Sequence, residues 1–301
     1  MDDLSSIESI VSRYQEGIDF PKPFFDILSE AVQAGNVKVC LTESKDSSPN
    51  GFGVIGQVSG RIIAVFVDDM NGELDQEIVK LLEKKIIDWC YNEVNNPPTR
   101  VDFPKMTENL KNDILARGYR EYQRAAMDVS REVFLRNQEI TLPQGFALRP
   151  YHPDERGKVA GVLAKANTDH VDAIIYPEFF SSKEMGVEYL KKVEENAFGE
   201  YIEGTSRVLM KDNEIIGYCM LVKGGDTVTV SDIGLLPTYQ GRGLGKALFV
   251  NTLLSYLGSD ESIRSIHLAV TLSNPAKFLY EKTGFEVKEE FSAIVYVGTD
   301  R

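Results

Sequence analysis

The segment Leu235–Lys246, reading Leu-Leu-Pro-Thr-Tyr-Gln-Gly-Arg-Gly-Leu-Gly-Lys, constrains the fold more than any other stretch of this 301-residue chain. Three glycines at alternate positions join a strand-like run, Thr227–Leu236, to an apolar helical run from about Leu244 to Leu257. Glycine lets a backbone turn tightly and approach a ligand, and here it leaves N–H groups at the positive end of a helix dipole. Such a junction suits phosphate oxygens. The dinucleotide fingerprint needs G-x-G-x-x-G, one residue longer than the spacing found. A Walker loop needs Gly at position 240 and Ser or Thr at 247, where Gln240 and Ala247 stand. The preceding strand carries a second signal. Its apolar residues run Val228, Val230, then Ile233, Leu235, so the alternation slips by one. A bulge at the slip would keep both pairs on one face; a strand buried on both faces would explain Leu235–Leu236 as well.

Around this junction strands and helices alternate, which predicts an α/β fold with a mixed sheet. Phe146–Tyr151 reads as a strand, and Asp154–Asn167 and Ser182–Asn196 as helices. Ser206–Lys211 and Glu214–Val222 form a hairpin about Asp212-Asn213, a favoured turn pair. A strand at Ile266–Thr271, a helix at Pro275–Thr283 and a strand region at Phe285–Val297 follow.

The first half repeats the tail of this order 166 residues earlier. Gly118-Tyr119 precedes Gly284-Phe285 by that offset. The same subtraction places a strand on Arg61–Met70, an apolar helix on Ile78–Tyr91 and a strand on Arg100–Lys105. One offset carrying three elements predicts a duplicated unit. The expected domains are 1–140 and 141–301, joined near Arg136–Pro143.

Near the end, Asn274 suits an N-cap, Pro275 the first helical position and Gly284 a left-handed stop. Ala276, Leu279, Tyr280 and Thr283 share one helix face by spacing. Asn274 is read as a cap or a ligand-binding residue, and Tyr280 as a core tyrosine or an acid beside the loop.

Taken together, these residues resemble the GNAT superfamily of N-acetyltransferases. The loop Gln240-Gly241-Arg242-Gly243-Leu244-Gly245 meets its acetyl-CoA motif, and Asn274, Ala276 and Tyr280, followed by Gly284-Phe285, meet its later element. The close resemblance covers about residues 205–298, and the whole resembles a tandem arrangement with a degenerate first copy. It implies direct transfer of an acetyl group from acetyl-CoA, the co-substrate, to a primary amine in a ternary complex. It assigns Leu235, Leu236, Gln240, Gly241, Arg242, Gly243, Leu244, Gly245, Lys246, Asn274 and Lys277 to cofactor binding. The strand at Leu235–Leu236 would pair with the pantetheine arm, and a backbone N–H there would polarise the thioester carbonyl. Tyr280 would protonate the departing thiolate. Asp232, at the slip, is the first choice of base; its bland reading is a bulge cap. His267 is out of phase with Ile266 and Leu268 and faces the other side of its strand, where it is read as a satisfied side chain under a helix or, second to Asp232, as a base. At the 166 offset the first copy has Leu74-Asp75-Gln76-Glu77-Ile78-Val79 for the loop, Glu108 for Asn274 and Ile114 for Tyr280. Two acids in place of glycines would repel a pyrophosphate, so a structural first domain is expected.

Acceptor identity is less legible. Asn167–Phe180 interleaves acids with aromatics, which suits a cationic amine with an apolar body or a loop pinned by buried rings. An amine-bearing small molecule and a peptide both remain candidates. With 33 Lys+Arg against 46 Asp+Glu, the net charge of −13 argues against nucleic acid and anionic membrane as partners. Three scattered cysteines and three scattered histidines predict no metal site and a reducing, cytoplasmic setting. A non-catalytic acyl-CoA-binding regulator or a scaffold is the competing reading; intact Asn274 and Tyr280 count against it.

Overall fold

The computed structural model describes residues 24–35, 37–43, 49–56, 61–67, 84, 100–101, 108–116, 118–136 and 141–297. The chain forms two compact units, one of residues 1–121 with 292–301 and the other of residues 122–291. This differs from a single division at 140/141, because each unit takes a strand segment from the other half of the sequence.

The first unit has helix α1 (Phe24–Gln33) and strands β1 (Val37–Glu43), β2 (Pro49–Gly56), β3 (Arg61–Val67) and β4 (Arg100–Val101), then α2 (Glu108–Leu115). Strands β1, β2 and β3 are antiparallel neighbours, and β3 runs parallel to β4. The end of the chain returns here, Ile294 and Val295 pairing with Val101 and Arg100. The strand expected at Arg61–Met70 is seen over Arg61–Val67, and Arg100–Val101 begins the one expected to reach Lys105. Of the expected helix Ile78–Tyr91 only Lys84 is described, as helical and exposed, and the loop 74–79 lies outside the described residues.

The second unit is a seven-stranded mixed sheet between two helical layers. Its elements are β5 (Tyr119–Ser130), α3 (Arg131–Leu135), β6 (Phe146–Pro150), α4 (Arg156–Ala166), α5 (Val171–Ile175), α6 (Pro177–Phe180), α7 (Lys183–Glu194), β7 (Arg207–Lys211), β8 (Glu214–Gly224), β9 (Thr227–Leu235), α8 (Leu244–Ser259), β10 (Ser265–Thr271), α9 (Ala276–Lys282) and β11 (Glu286–Tyr296). The strand order is β11-β5-β10-β9-β8-β7-β6. Only the pairing of β9 with β10 is parallel among the registers described. Strand β5 comes from before the expected domain join and pairs antiparallel with β10 from Ser265↔Ser130 to Thr271↔Arg124. It brings Ala125, Met127 and Val129 into the core.

Period-two alternation in β8 places Cys219 and Leu221 toward α8 and Tyr218, Met220 and Val222 toward α4 and α7. A strand covered on both faces reads as a continuous apolar run, as Ile215–Val222 does. Helix α8 is likewise apolar on most sides because it packs between the sheet and the Phe134, Phe285 and Tyr280 cluster. The hairpin turn has Asp212 and Asn213 both at positive φ, as a primed turn requires.

Candidate active site

The site begins where the register of β9 breaks. Met220 pairs with Asp232 but Leu221 with Val230, so Ser231 is the extra residue of a β-bulge. The bulge keeps Val228, Val230 and Leu235 in one core cluster, as the slip in the sequence predicts. Beyond it β9 parts from β10, whose parallel pairing covers only Ser265–His267 against Thr227–Thr229. A cavity of about 520 Å³ opens there. Its walls are the far end of β9, the loop residues Gln240, Gly241 and Gly245, and Asn274 and Tyr280 at α9.

Backbone groups supply much of this wall. Gly243 has φ +76° immediately before α8, a left-handed position that favours glycine. A Cβ added at Gly241 or Gly245 would meet no atom within 4 Å, so the loop faces open space. The first helical hydrogen bond described runs from the Ala247 N–H to the Gly243 carbonyl at 3.0 Å. The N–H groups before Ala247 therefore have no intrahelical acceptor. Gln240 ties the loop to the strand, its Nε2 donating to the Leu235 carbonyl at 2.9 Å.

Leu235 and Leu236, paired in the sequence reading, are separated by the structure. The Leu236 N–H donates to the Ile216 carbonyl at 2.9 Å and its side chain packs in the core. Its donor is taken by β8. Antiparallel alternation then turns the Leu235 N–H away from β8, toward the cavity it lines.

Across the cavity, Asn274 does two jobs. Its Oδ1 accepts the Ala276 N–H at 2.9 Å as a cap, and its Nδ2 donates to Asp172 Oδ2 at 3.4 Å. Tyr280 is 6% exposed and packs against Phe249, with ring centroids 5.2 Å apart. Burial, with Cys219, Asp232 and Asp172 nearby, raises its hydroxyl above the usual tyrosine range. Lys277 instead pairs with Glu281 on its own helix. Leu244 is buried, and Arg242 lies over the Tyr239 ring.

Asp232 sits at the bulge, accepting the Tyr218 hydroxyl at 2.5 Å on Oδ2 and the Ile233 N–H at 2.9 Å on Oδ1. Desolvation, opposed by the Tyr218 bond and helped by the negative charge of Asp172, pushes its carboxyl up to about 6. Asp172 behaves oppositely. Burial would raise it, but the His170 ring 3.3 Å away, Arg124 and the Thr271 hydroxyl at 2.8 Å hold it below the usual range. That bond to Asp172, against some loss of solvation, raises His170.

A second cavity, of about 260 Å³, shares Asp172, Val230, Ser231, Asp232 and Ala269 with the first. Its other wall is aromatic: Tyr176, Phe179, Phe180, Tyr189 and Phe198, with Tyr189 bonded to Ser231 Oγ at 2.7 Å. The segment 167–180 thus forms short helices, and Tyr176, Phe179 and Phe180 are among the residues lining this cavity. His267 has a partner, as the reading of a satisfied side chain expects: its Nδ1 is 2.5 Å from Asp128 Oδ1 on the neighbouring strand β5. Sequence reasoning passed over Arg124, Tyr189 and Tyr218. Arg124 lies in a strand that no motif marks as part of this unit, while Tyr218 stands at an ordinary apolar position of β8. For Tyr189, spacing on an amphipathic helix gives only its inward direction.

Among the described residues no group of His, Cys, Asp and Glu is placed to hold a metal, and no helix is long and apolar enough to cross a membrane.

The comparisons with known proteins agree with this geometry. Residues 169–285 match the model of the acetyltransferase (GNAT) family. A [ribosomal protein bS18]-alanine N-acetyltransferase of Haemophilus influenzae is 42% identical over 77 residues, 26% of this chain and 51% of that protein. A putative enzyme of the same name from Bacillus subtilis is 32% identical over 93 residues, 31% of this chain and 57% of that one. The chain thus spans little more than half the length of the curated relatives it matches. Among solved structures, a GCN5-related N-acetyltransferase from Sphaerobacter thermophilus superposes with a TM-score of 0.64 at 15% identity, covering 98% of this chain and 94% of that one. A tandem GNAT protein from the clavulanic acid biosynthesis pathway gives 0.57 at 12% identity, covering 99% and 96%. These structural likenesses show the fold. The bulged, splayed strand pair and the glycine loop beside it thus lie within residues 169–285, the stretch of this chain that is similar to the acetyltransferase (GNAT) family.

Proposed function

We propose that this chain transfers the acetyl group of acetyl-CoA to a primary amine by direct attack within a ternary complex. The observation that carries the reading is a single cavity lined by Gln240, Gly241 and Gly245 of the glycine loop together with Leu235, Asp232 and Tyr280. The loop fits a pyrophosphate, since Gly241 and Gly245 leave open space and the α8 terminus presents N–H groups without intrahelical acceptors. Leu235, Gln240, Gly241, Gly245 and Asn274 form the cavity-facing part of the cofactor set. Arg242, Gly243 and Lys246 contribute through the loop backbone, and Leu244 and Leu236 support it from the core.

Acetyl-CoA supplies the acetyl thioester. The Leu235 N–H faces the position of the developing oxyanion, where a fixed donor counts most. Asp232 takes the proton that the attacking amine must lose, directly or through one water. A carboxyl near 6 is ionised at neutral pH and still basic enough to accept. As the C–N bond forms and the C–S bond breaks, Tyr280 gives its proton to the departing sulfur; its raised pKa keeps that proton in place at neutral pH. The relatives named as acting on an alanine of a ribosomal protein put peptide α-amines beside small amines as candidate acceptors. We also infer a structural first unit that binds no acetyl-CoA, supported by Asp75, Glu77, Glu108 and Ile114 at the 166 offset, and a cytoplasmic setting, supported by the sparse cysteines.

Calorimetric titration with acetyl-CoA tests the reading. One site per chain is the expected result. Two sites would overturn the structural first unit, and no binding would overturn the transferase.

A further inference from the structure

The aromatic cavity holds a positive charge that the reaction above does not use. Arg124, on β5, is 6% exposed, and its Nε and Nη1 have no hydrogen-bond partner. Buried polar groups are hydrogen-bonded in the great majority, and an unpaired buried charge is costly. What Arg124 does have is two rings, its guanidinium lying 4.7 Å from the centroid of Tyr176 and 5.8 Å from that of Phe291. Ring faces offset part of the charge but satisfy no N–H donor. Asp172 is close enough to feel the cation, yet it is already bonded to Thr271 and Asn274. Arg124 is thus a cation among the residues lining this cavity, with two donors left without a partner.

The other walls define what it can receive. Asp232, at the reacting end, and the aromatic rings line the same cavity. At about 260 Å³ the cavity lies below the roughly 300–1,000 Å³ of pockets for drug-sized ligands. A guanidinium prefers a carboxylate, which it can bind through two parallel bonds, over a neutral carbonyl that leaves its charge uncompensated. A dianion would be repelled by Asp172 and Asp232 on the same walls.

We propose that the acceptor is a small α-amino carboxylate with an apolar side chain, its carboxylate bound by Arg124, its side chain among the rings and its amine facing Asp232. This inference rests on the transferase reading, and makes Arg124 the residue that selects among amines.

The test compares acetyl transfer to L-phenylalanine, L-phenylalaninamide and 2-phenylethylamine by the wild type, Arg124→Gln and Arg124→Lys, with acetyl-CoA titrated into each. The wild type is expected to favour phenylalanine by tenfold or more in kcat/KM. Arg124→Gln should level the three substrates while binding acetyl-CoA as before, and Arg124→Lys should keep part of the preference. Equal use of phenylalaninamide by the wild type would overturn the proposal in favour of a peptide terminus. Equal use of 2-phenylethylamine, a preference surviving in Arg124→Gln, or acetyl-CoA binding without transfer to phenylalanine would also overturn it. Should Arg124→Gln not fold, the three-substrate comparison in the wild type decides alone. Loss of acetyl-CoA binding by the wild type would instead be the failure of the transferase reading.

Discussion

The pair β8–β9 and its counterpart β2–β3, 166 residues earlier, share a plan and differ in what it carries. Both are antiparallel pairs with one register slip. In β3 the slip leaves Ile63 unpaired, between the pairs Ile55↔Ile62 and Val54↔Ala64; in β9 it leaves Ser231, two positions further along once the offset is removed. At the position of Asp232 the first half has Phe66, at that of Tyr218 it has Phe52, and at that of Tyr280 it has Ile114. A bulged strand is thus common to both units, and does not itself make a site. What distinguishes the second unit is a carboxylate, the hydroxyl that holds it and a glycine loop free of acids.

That contrast can be attacked by writing first-half chemistry into the second unit. Gly241→Asp, which imports Asp75, should have the largest effect. Aspartate tolerates a left-handed φ better than most residues, and the site has open space, so the fold should persist while acetyl-CoA affinity falls about a hundredfold or more through repulsion of the pyrophosphate. Calorimetry and a thermal melt read the two separately; unchanged affinity would break the loop assignment.

Asp232→Asn comes next. General-base loss costs about 10²- to 10⁴-fold, and the wild-type kcat/KM should rise with pH through about 6 while that of the variant should not. The sign for stability is opposite. A carboxyl raised from 3.8 to about 6 binds more protons folded than unfolded between those values, so folding stability contributed by Asp232 is present at low pH and lost as pH rises through about 6. Denaturant melts at pH 4 and pH 7 should therefore converge in the variant.

Tyr280→Phe should lower kcat roughly ten- to a hundredfold with acetyl-CoA affinity within about twofold. An equal fall in both would return Tyr280 to a purely packing role. The smallest change belongs to Tyr218→Phe, which imports Phe52. Removing the bond that favours the ionised carboxylate should move the acidic limb of the pH profile to higher pH by about half to one unit. A shift to lower pH would mean that the bond favours the protonated acid.

Much of the second unit was legible because its signals are local. Alternate glycines, an Asn-Pro helix start, an Asp-Asn turn and a slip in period-two alternation each act over a few residues, and the structure has the loop, the cap, the primed turn and the bulge at those places. Long-range pairing leaves no such mark. Nothing near Arg124 shows that its strand lies beside His267 and Val270, or that Phe291 would come to lie over its guanidinium. Tyr218 reads as one more apolar residue in a buried strand until its partner, Asp232 beside the bulge, is known. The donor role of Leu235 rather than Leu236 depends on which backbone groups β8 has taken, and apolar pattern says nothing about that.

Strand β5 carries a consequence for how the polypeptide is made and cut. Ala125, Met127 and Val129 are synthesised before any of the second unit's other strands, yet their partners on β10 come about 140 residues later. The first unit waits longer still, since the partners of Arg100 and Val101 come about 190 residues after them. Neither half of the gene encodes a finished core. A fragment expressed from residue 141 would expose the apolar edge of β10, inviting pairing with a second chain, and a protease cut within 137–140 would leave two pieces that stay together by a reciprocal exchange of strands.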